Sequence, residues 1–186
     1  MAFPEKSDED AIRNQYEKIG VEAYYQQQGD QYANPHFPYI QKLLKQNQHR
    51  IDYQKVLDFC CGSGEVSQVL IDLGSSDITG CDPYTQKAFY NNIGQEALSY
   101  SFKDIIRGKL EGNWTSIICS FAMHLCPEKQ LYPLVMQLFR CSPQLVIISP
   151  HKRPVLENLD GVRLDFNDFC LTPKGKKVFL KSYRLQ

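Results

Sequence analysis

The residues richest in chemistry lie in one short stretch, Val56-Leu57-Asp58-Phe59-Cys60-Cys61-Gly62-Ser63-Gly64-Glu65. An apolar run enters a Gly-x-Gly turn, and a helical pattern begins directly after it. Glycines suit that turn because the backbone must bend sharply and come close to a ligand. The helix start offers N–H groups to a carboxylate or a phosphate. Asp58 separates those two partners. A carboxylate just ahead of the glycines repels a pyrophosphate and attracts an ammonium or a sulfonium. Ser67 stands where a dinucleotide fingerprint has its third glycine, which weakens a nicotinamide reading further.

Other candidates follow at strand ends. Asp82 comes eighteen residues after Gly64 and closes the run Asp77 to Asp82; a carboxylate there can accept from both hydroxyls of a vicinal diol. Pro83 and Tyr84 come next, and the tyrosine offers a flat face to a base. Asp104 and Ile105 follow a weak third strand. Ser120-Phe121-Ala122-Met123-His124 leaves the run Trp114 to Ser120, and His124 is the general-base candidate by its titration range. His151-Lys152-Arg153 follows Pro150 and suits an acidic or phosphorylated acceptor.

The elements that position these residues alternate. Strands are predicted at 55–59, 77–82, 99–101, 114–120 and 145–149, with helices from Gly64 to Leu73, Tyr84 to Asn92 and Glu128 to about Arg140. Such alternation means a parallel sheet with crossover helices. The tail breaks the rhythm: Val162 to Cys170 and Lys176 to Arg184 read as two strands joined through Thr172-Pro173-Lys174-Gly175, an antiparallel hairpin. The expected fold is an α/β, Rossmann-like three-layer sandwich. Its mostly parallel seven-stranded sheet ends in that hairpin.

From Val56 to Pro150 the order and register of these motifs resemble the class I S-adenosylmethionine-dependent methyltransferases. Asp58 to Gly64 matches the family's first motif, with Cys60 where a glycine is common. The resemblance implies S-adenosylmethionine as cofactor, held by Asp58, Cys60, Gly62, Gly64, Asp82, Pro83, Tyr84, Asp104, Ile105, Ser120 and Phe121. It implies methyl transfer to an oxygen or nitrogen nucleophile. The segment after the fourth strand lacks the Asn/Asp-Pro-Pro-Tyr signature of exocyclic-amine methylation. Plain structural roles stand beside each assignment. Asp58 and Asp82 could cap turns, Asp104 could open a helix, Tyr84 and His124 could pack, and 151–153 could be a solvated turn.

Ile12, Tyr16 and Ile19 recur at helical spacing, and Asn34-Pro35 reads as a cap with a first-turn proline. The expected organisation is a single compact domain, made of an N-terminal helical lid segment over 1–50 and the binding domain over 51–186, with Tyr25, Tyr32 and His36 as lid contacts to the acceptor.

Composition narrows the class. Over 186 residues, 42% hydrophobic content supports a packed core, and 21 basic residues balance 21 acidic ones. That balance argues against a dedicated nucleic-acid arm and tilts the acceptor toward a small molecule. Charge is nevertheless uneven: 151–186 holds eight bases against four acids, so RNA stays open without being indicated. Seven cysteines, two of them adjacent, with no CxxC pair and no apolar opening segment, suit reduced thiols, no metal and a cytoplasmic setting. No apolar run approaches the ~20 residues of a membrane span. Three readings remain: a methyltransferase acting on a small molecule, RNA or protein; a non-catalytic cofactor sensor or partner subunit; and, least favoured, an oxidoreductase. Oligomeric state is not addressed by these signals.

Overall fold

The computed structural model describes residues 36–186. Its elements in chain order are α1 (Phe37–Gln46), β1 (Lys55–Phe59), α2 (Glu65–Asp72), β2 (Asp77–Cys81), α3 (Gln86–Ile93), α4 (Phe102–Ile106), β3 (Ser116–Ser120), α5 (Glu128–Cys141), β4 (Leu145–Ser149), β5 (Val162–Leu171) and β6 (Lys177–Leu185). Short 3-10 turns at Met123–Leu125 and Leu156–Asn158 follow β3 and β4.

The sheet order is β2-β1-β3-β4-β6-β5. The first four of these strands run parallel, and β6 pairs antiparallel with both β4 and β5. All five residues of β4 and four of five in β1 are buried, as parallel strands covered on both faces require. Side-chain alternation then splits the core in two. Val56, Ile118, Val146 and Ile148 face α1 and α2. Leu57, Ile117, Leu145 and Ile147 face the layer of α5.

The sheet has six strands, not seven. Segment 99–101 forms no strand, and the edge beyond β2 carries one parallel bridge between Cys81 and Leu98. It is held by Leu98 N–H donating to Gly80 O at 2.8 Å and Asp82 N–H donating to Leu98 O at 2.9 Å. Ser101 instead opens α4 with a reciprocal capping box to Asp104. A serine with an acid three residues on satisfies orphan helix donors locally, and that outcompetes a short, weakly apolar strand.

The helix before residue 50 packs tightly on the rest of the chain. Ile40, Leu43 and Leu44 of α1 are fully buried. Asn47 donates through Nδ2 to Asp168 Oδ2 at 2.9 Å, and the Arg50 guanidinium lies 3.7 Å from the Phe166 ring centre. α1 is therefore a layer of the same domain. Pro38 supplies its first-turn proline after His36 at the N-cap, while Asn34-Pro35 lies outside the described residues. Among the described residues no helix is long and apolar enough to cross a membrane.

Candidate functional site

The carboxyl ends of β1, β2 and β3 converge, and the loop after β1 forms the floor between them. Two consecutive amides of that loop, Cys60 and Cys61, donate to Cys81 O at 2.8 and 3.2 Å, which ties it to the end of β2. The bend needs left-handed backbone at Cys60 (φ 57), Gly62 (φ 55) and Gly64 (φ 93). Cys60 stands in a conformation that glycine adopts more cheaply. Gly64 is constrained twice, because a Cβ there would also fall 2.5 Å from Ile93 Cγ1 on α3.

Asp58 belongs to the middle of this arrangement. It is fully buried, and Oδ2 accepts from Ser67 N–H at 3.1 Å and Ser67 Oγ–H at 2.7 Å. The carboxylate thus caps the first turn of α2, and Ser67 has a purpose in this chain that a glycine could not serve. Oδ1 has no hydrogen-bond partner among the described residues. Burial, offset by the Ser67 bonds and reinforced by nearby Glu65, pushes the Asp58 carboxyl up to about 8.

Asp82 is nearly buried, and its Oδ1 accepts from Tyr84 N–H at 2.8 Å and Thr85 N–H at 3.2 Å. Burial raises this carboxyl, while donation from Tyr84, Thr85 and the Gly62 amide opposes the rise. The acid therefore holds the start of α3 and meets the β1 loop. Pro83 and Tyr84 beside it are half-buried.

Asp104 and Ile105 belong to α4. Asp104 Oδ2 accepts from Ser101 N–H and Oγ–H, and Oδ1 pairs with Lys109 Nζ at 2.7 Å. Lys109 and Ser101 hold this carboxyl well below its ordinary range. Ile105 is fully buried in the core, and its N–H donates to Ser101 O. Asp104 thus caps α4 and pairs with Lys109, and Ile105 packs in the core.

On the acceptor side, Ser120 ends β3 and Phe121 follows with φ 55, its N–H donating to Ile148 O at 2.8 Å. That turn stacks the Phe121 ring on His36, with centroids 4.5 Å apart and planes 2° from parallel. His124 and His151, from the loops after β3 and β4, lie with ring centroids 4.1 Å apart. The pairing joins residues nominated separately, because sequence distance hides that β3 and β4 are neighbours. Shielding by the packed loop and then the neighbouring His151 push His124 down to about 4, although the residue keeps an exposed face. His151, Lys152 and Arg153 are exposed, while Tyr25 and Tyr32 lie outside the described residues. Sequence reasoning missed a small groove beside this pair, lined by Ser149, His151, Arg153, Phe179, Lys181 and Tyr183. Only strand pairing brings β6 to that position. Cys119 and burial hold the Cys60 thiol protonated, which disfavours a thiolate nucleophile.

No model of a known protein family matches the chain. A curated relative does: the uncharacterized protein C17A5.05c of Schizosaccharomyces pombe is 30% identical, with 79% of this chain and 77% of the relative covered. The chain belongs to that protein's family. Among solved structures, magnesium protoporphyrin IX methyltransferase from Synechocystis with bound S-adenosylmethionine superposes with a TM-score of 0.60 at 15% identity, covering 98% of this chain and 100% of that one. The N-methyltransferase NodS of Bradyrhizobium japonicum, with S-adenosylhomocysteine, gives 0.61 at 15%, covering 82% and 88%. A putative RNA methyltransferase of Pyrococcus horikoshii gives 0.56 at 14%, covering 78% and 79%. The fold is that of the class I S-adenosylmethionine-dependent methyltransferases.

Proposed function

We propose that the chain binds S-adenosylmethionine at the carboxyl ends of β1 to β3 and methylates an oxygen or nitrogen nucleophile presented beside His124 and His151. The observation that carries the reading is the Asp58 carboxylate, with Oδ2 spent on Ser67 and Oδ1 left without a donor among the described residues. A buried carboxyl oxygen without a partner is costly, and an ammonium supplies both the hydrogen bond and the positive charge that favours the ionised form. A diphosphate supplies neither.

When bound, S-adenosylmethionine brings a methyl group on a sulfonium, which makes the displacement one of alignment more than of acid–base power. Asp58 would hold the ammonium and Asp82 the ribose hydroxyls, with Tyr84 and Phe121 as apolar walls. His124, uncharged near pH 7, accepts the acceptor's proton. The even charge total favours a small-molecule acceptor; where the charges sit in the fold is a separate matter.

A cofactor sensor without turnover is the second reading, and the depressed His124 supports it, because an imidazole of pKa about 4 is a weak base. Calorimetry with S-adenosylmethionine, S-adenosylhomocysteine and NAD tests the ligand: the two sulfur nucleosides bind and NAD does not. NAD binding alone overturns the proposal. Incubation of the loaded protein with cell extract, read by mass spectrometry for an added CH₂, separates the enzyme from the sensor.

A further inference from the structure

The hairpin projects past the mouth of the site. β4 ends at Ser149, opposite Phe179, whereas β5 runs to Leu171 and β6 starts at Lys177. Along the face shared with the groove, the paired residues Phe169 and Phe179 lie with ring centroids 6.2 Å apart. On this face Phe169 is 43% exposed and Leu171 54% exposed. The connection 150–161 carries only the 3-10 turn at Leu156–Asn158, so no crossover helix in it shields this end.

The rings are bordered by positive charge. Lys177 Nζ sits 4.0 Å from the Phe169 ring centre. Lys174 and Lys176 are exposed at the hairpin tip, and Lys152 and Arg153 are exposed across the groove. Glu157, the acid near this face, is already engaged by Lys181 at 3.2 Å and by Tyr183 Oη–H at 3.0 Å. Phe169, with Lys177 against one face of its ring, and the groove-lining Phe179 stand among lysines, with the local acid already engaged, and complement a polyanion that carries flat bases.

We infer that the Phe169–Phe179 face is a docking surface for single-stranded nucleic acid, which leads a nucleotide to the mouth beside His124 and His151. The inference rests on the methyl-transfer reading and names its acceptor class as a polynucleotide in place of a small molecule. The even charge total, which by itself favours a small molecule, is outweighed at this face, where concentrated bases attract a strand locally. Bases stacked on the two rings provide affinity with little sequence preference, and the lysines follow the phosphates.

The test is fluorescence anisotropy of the full chain with a fluorescein-labelled single-stranded RNA of mixed sequence, over a salt series. Duplex RNA, single-stranded DNA and poly-glutamate serve as competitors, and S-adenosylhomocysteine binding is measured on the same preparations. The strand binds with affinity that falls as salt rises. Phe169→Ala and Phe179→Ala each weaken it about fivefold or more, and Lys176→Gln with Lys177→Gln flattens the salt dependence. All variants keep wild-type affinity for S-adenosylhomocysteine. No binding at low salt, unchanged affinity in the phenylalanine variants, or equal competition by poly-glutamate or duplex overturns the inference while leaving methyl transfer standing. Better competition by the DNA strand than by the labelled RNA keeps the surface and assigns it to DNA. RNA binding without any S-adenosylhomocysteine binding overturns the methyl-transfer reading and leaves the surface.

Discussion

Replacing Asp58 by asparagine probes the carboxylate on which the functional reading rests. In the empty protein this group is protonated up to about pH 8, whereas in the unfolded chain it ionises near its ordinary value of about 3.9. Across that window the folded state binds more protons than the unfolded state, so stability falls as pH rises. The slope reaches about 1.4 kcal/mol per pH unit, which amounts to roughly 4 kcal/mol between about pH 5 and about pH 8. Asparagine keeps an oxygen to accept from Ser67 and cannot ionise. Urea unfolding of both proteins therefore gives similar stabilities at about pH 5, with Asp58→Asn gaining as pH rises. Parallel pH profiles refute the reasoning, and so does a wild type that gains on the variant at high pH. An ammonium beside Oδ1 pulls the same pKa down, so S-adenosylhomocysteine binding releases up to one proton near neutral pH. Calorimetry in buffers of different ionisation heat reads that release, and the variant shows none.

Gly64→Ala combines a positive φ with a Cβ 2.5 Å from Ile93. It costs about 1–3 kcal/mol in denaturant unfolding and weakens the sulfur nucleosides at least as much. His124→Ala lowers turnover while cofactor affinity stays near wild type; equal loss in both quantities removes the residue from the proton-accepting role. Leu43→Ala, at a fully buried position in α1, costs about 2–5 kcal/mol of global stability. A loss confined to α1, read by hydrogen exchange, instead makes α1 a separately unfolding segment.

The glycine loop after β1 was legible because its requirements are local. A tight turn demands glycines, the helix start follows them directly, and Asp58 sits on the strand that enters the turn. Strand β4 was equally clear, since burial on both faces leaves a nearly unbroken apolar run, β1 showed as an apolar run interrupted by Asp58, and the hairpin showed in its Pro-Lys-Gly connection. The edge strand expected at 99–101 was not legible. Its fate turned on whether Ser101 and Asp104 would cap a helix, and the two readings differ by a few hydrogen bonds. The placing of Asp104 followed from the same competition, with Lys109 as its ion-pair partner.

The chain's local pattern thus decided what each segment is: strand, loop, helix, acid at a bend. Which segments meet was decided by the sheet order, because pairing across long sequence distances is set by burial of both faces at once. β3 beside β4 joined His124 to His151, and β6 beside β4 put Phe179 and Lys181 at the same mouth. A reversal of one strand keeps every local propensity and moves those side chains to opposite edges of the sheet.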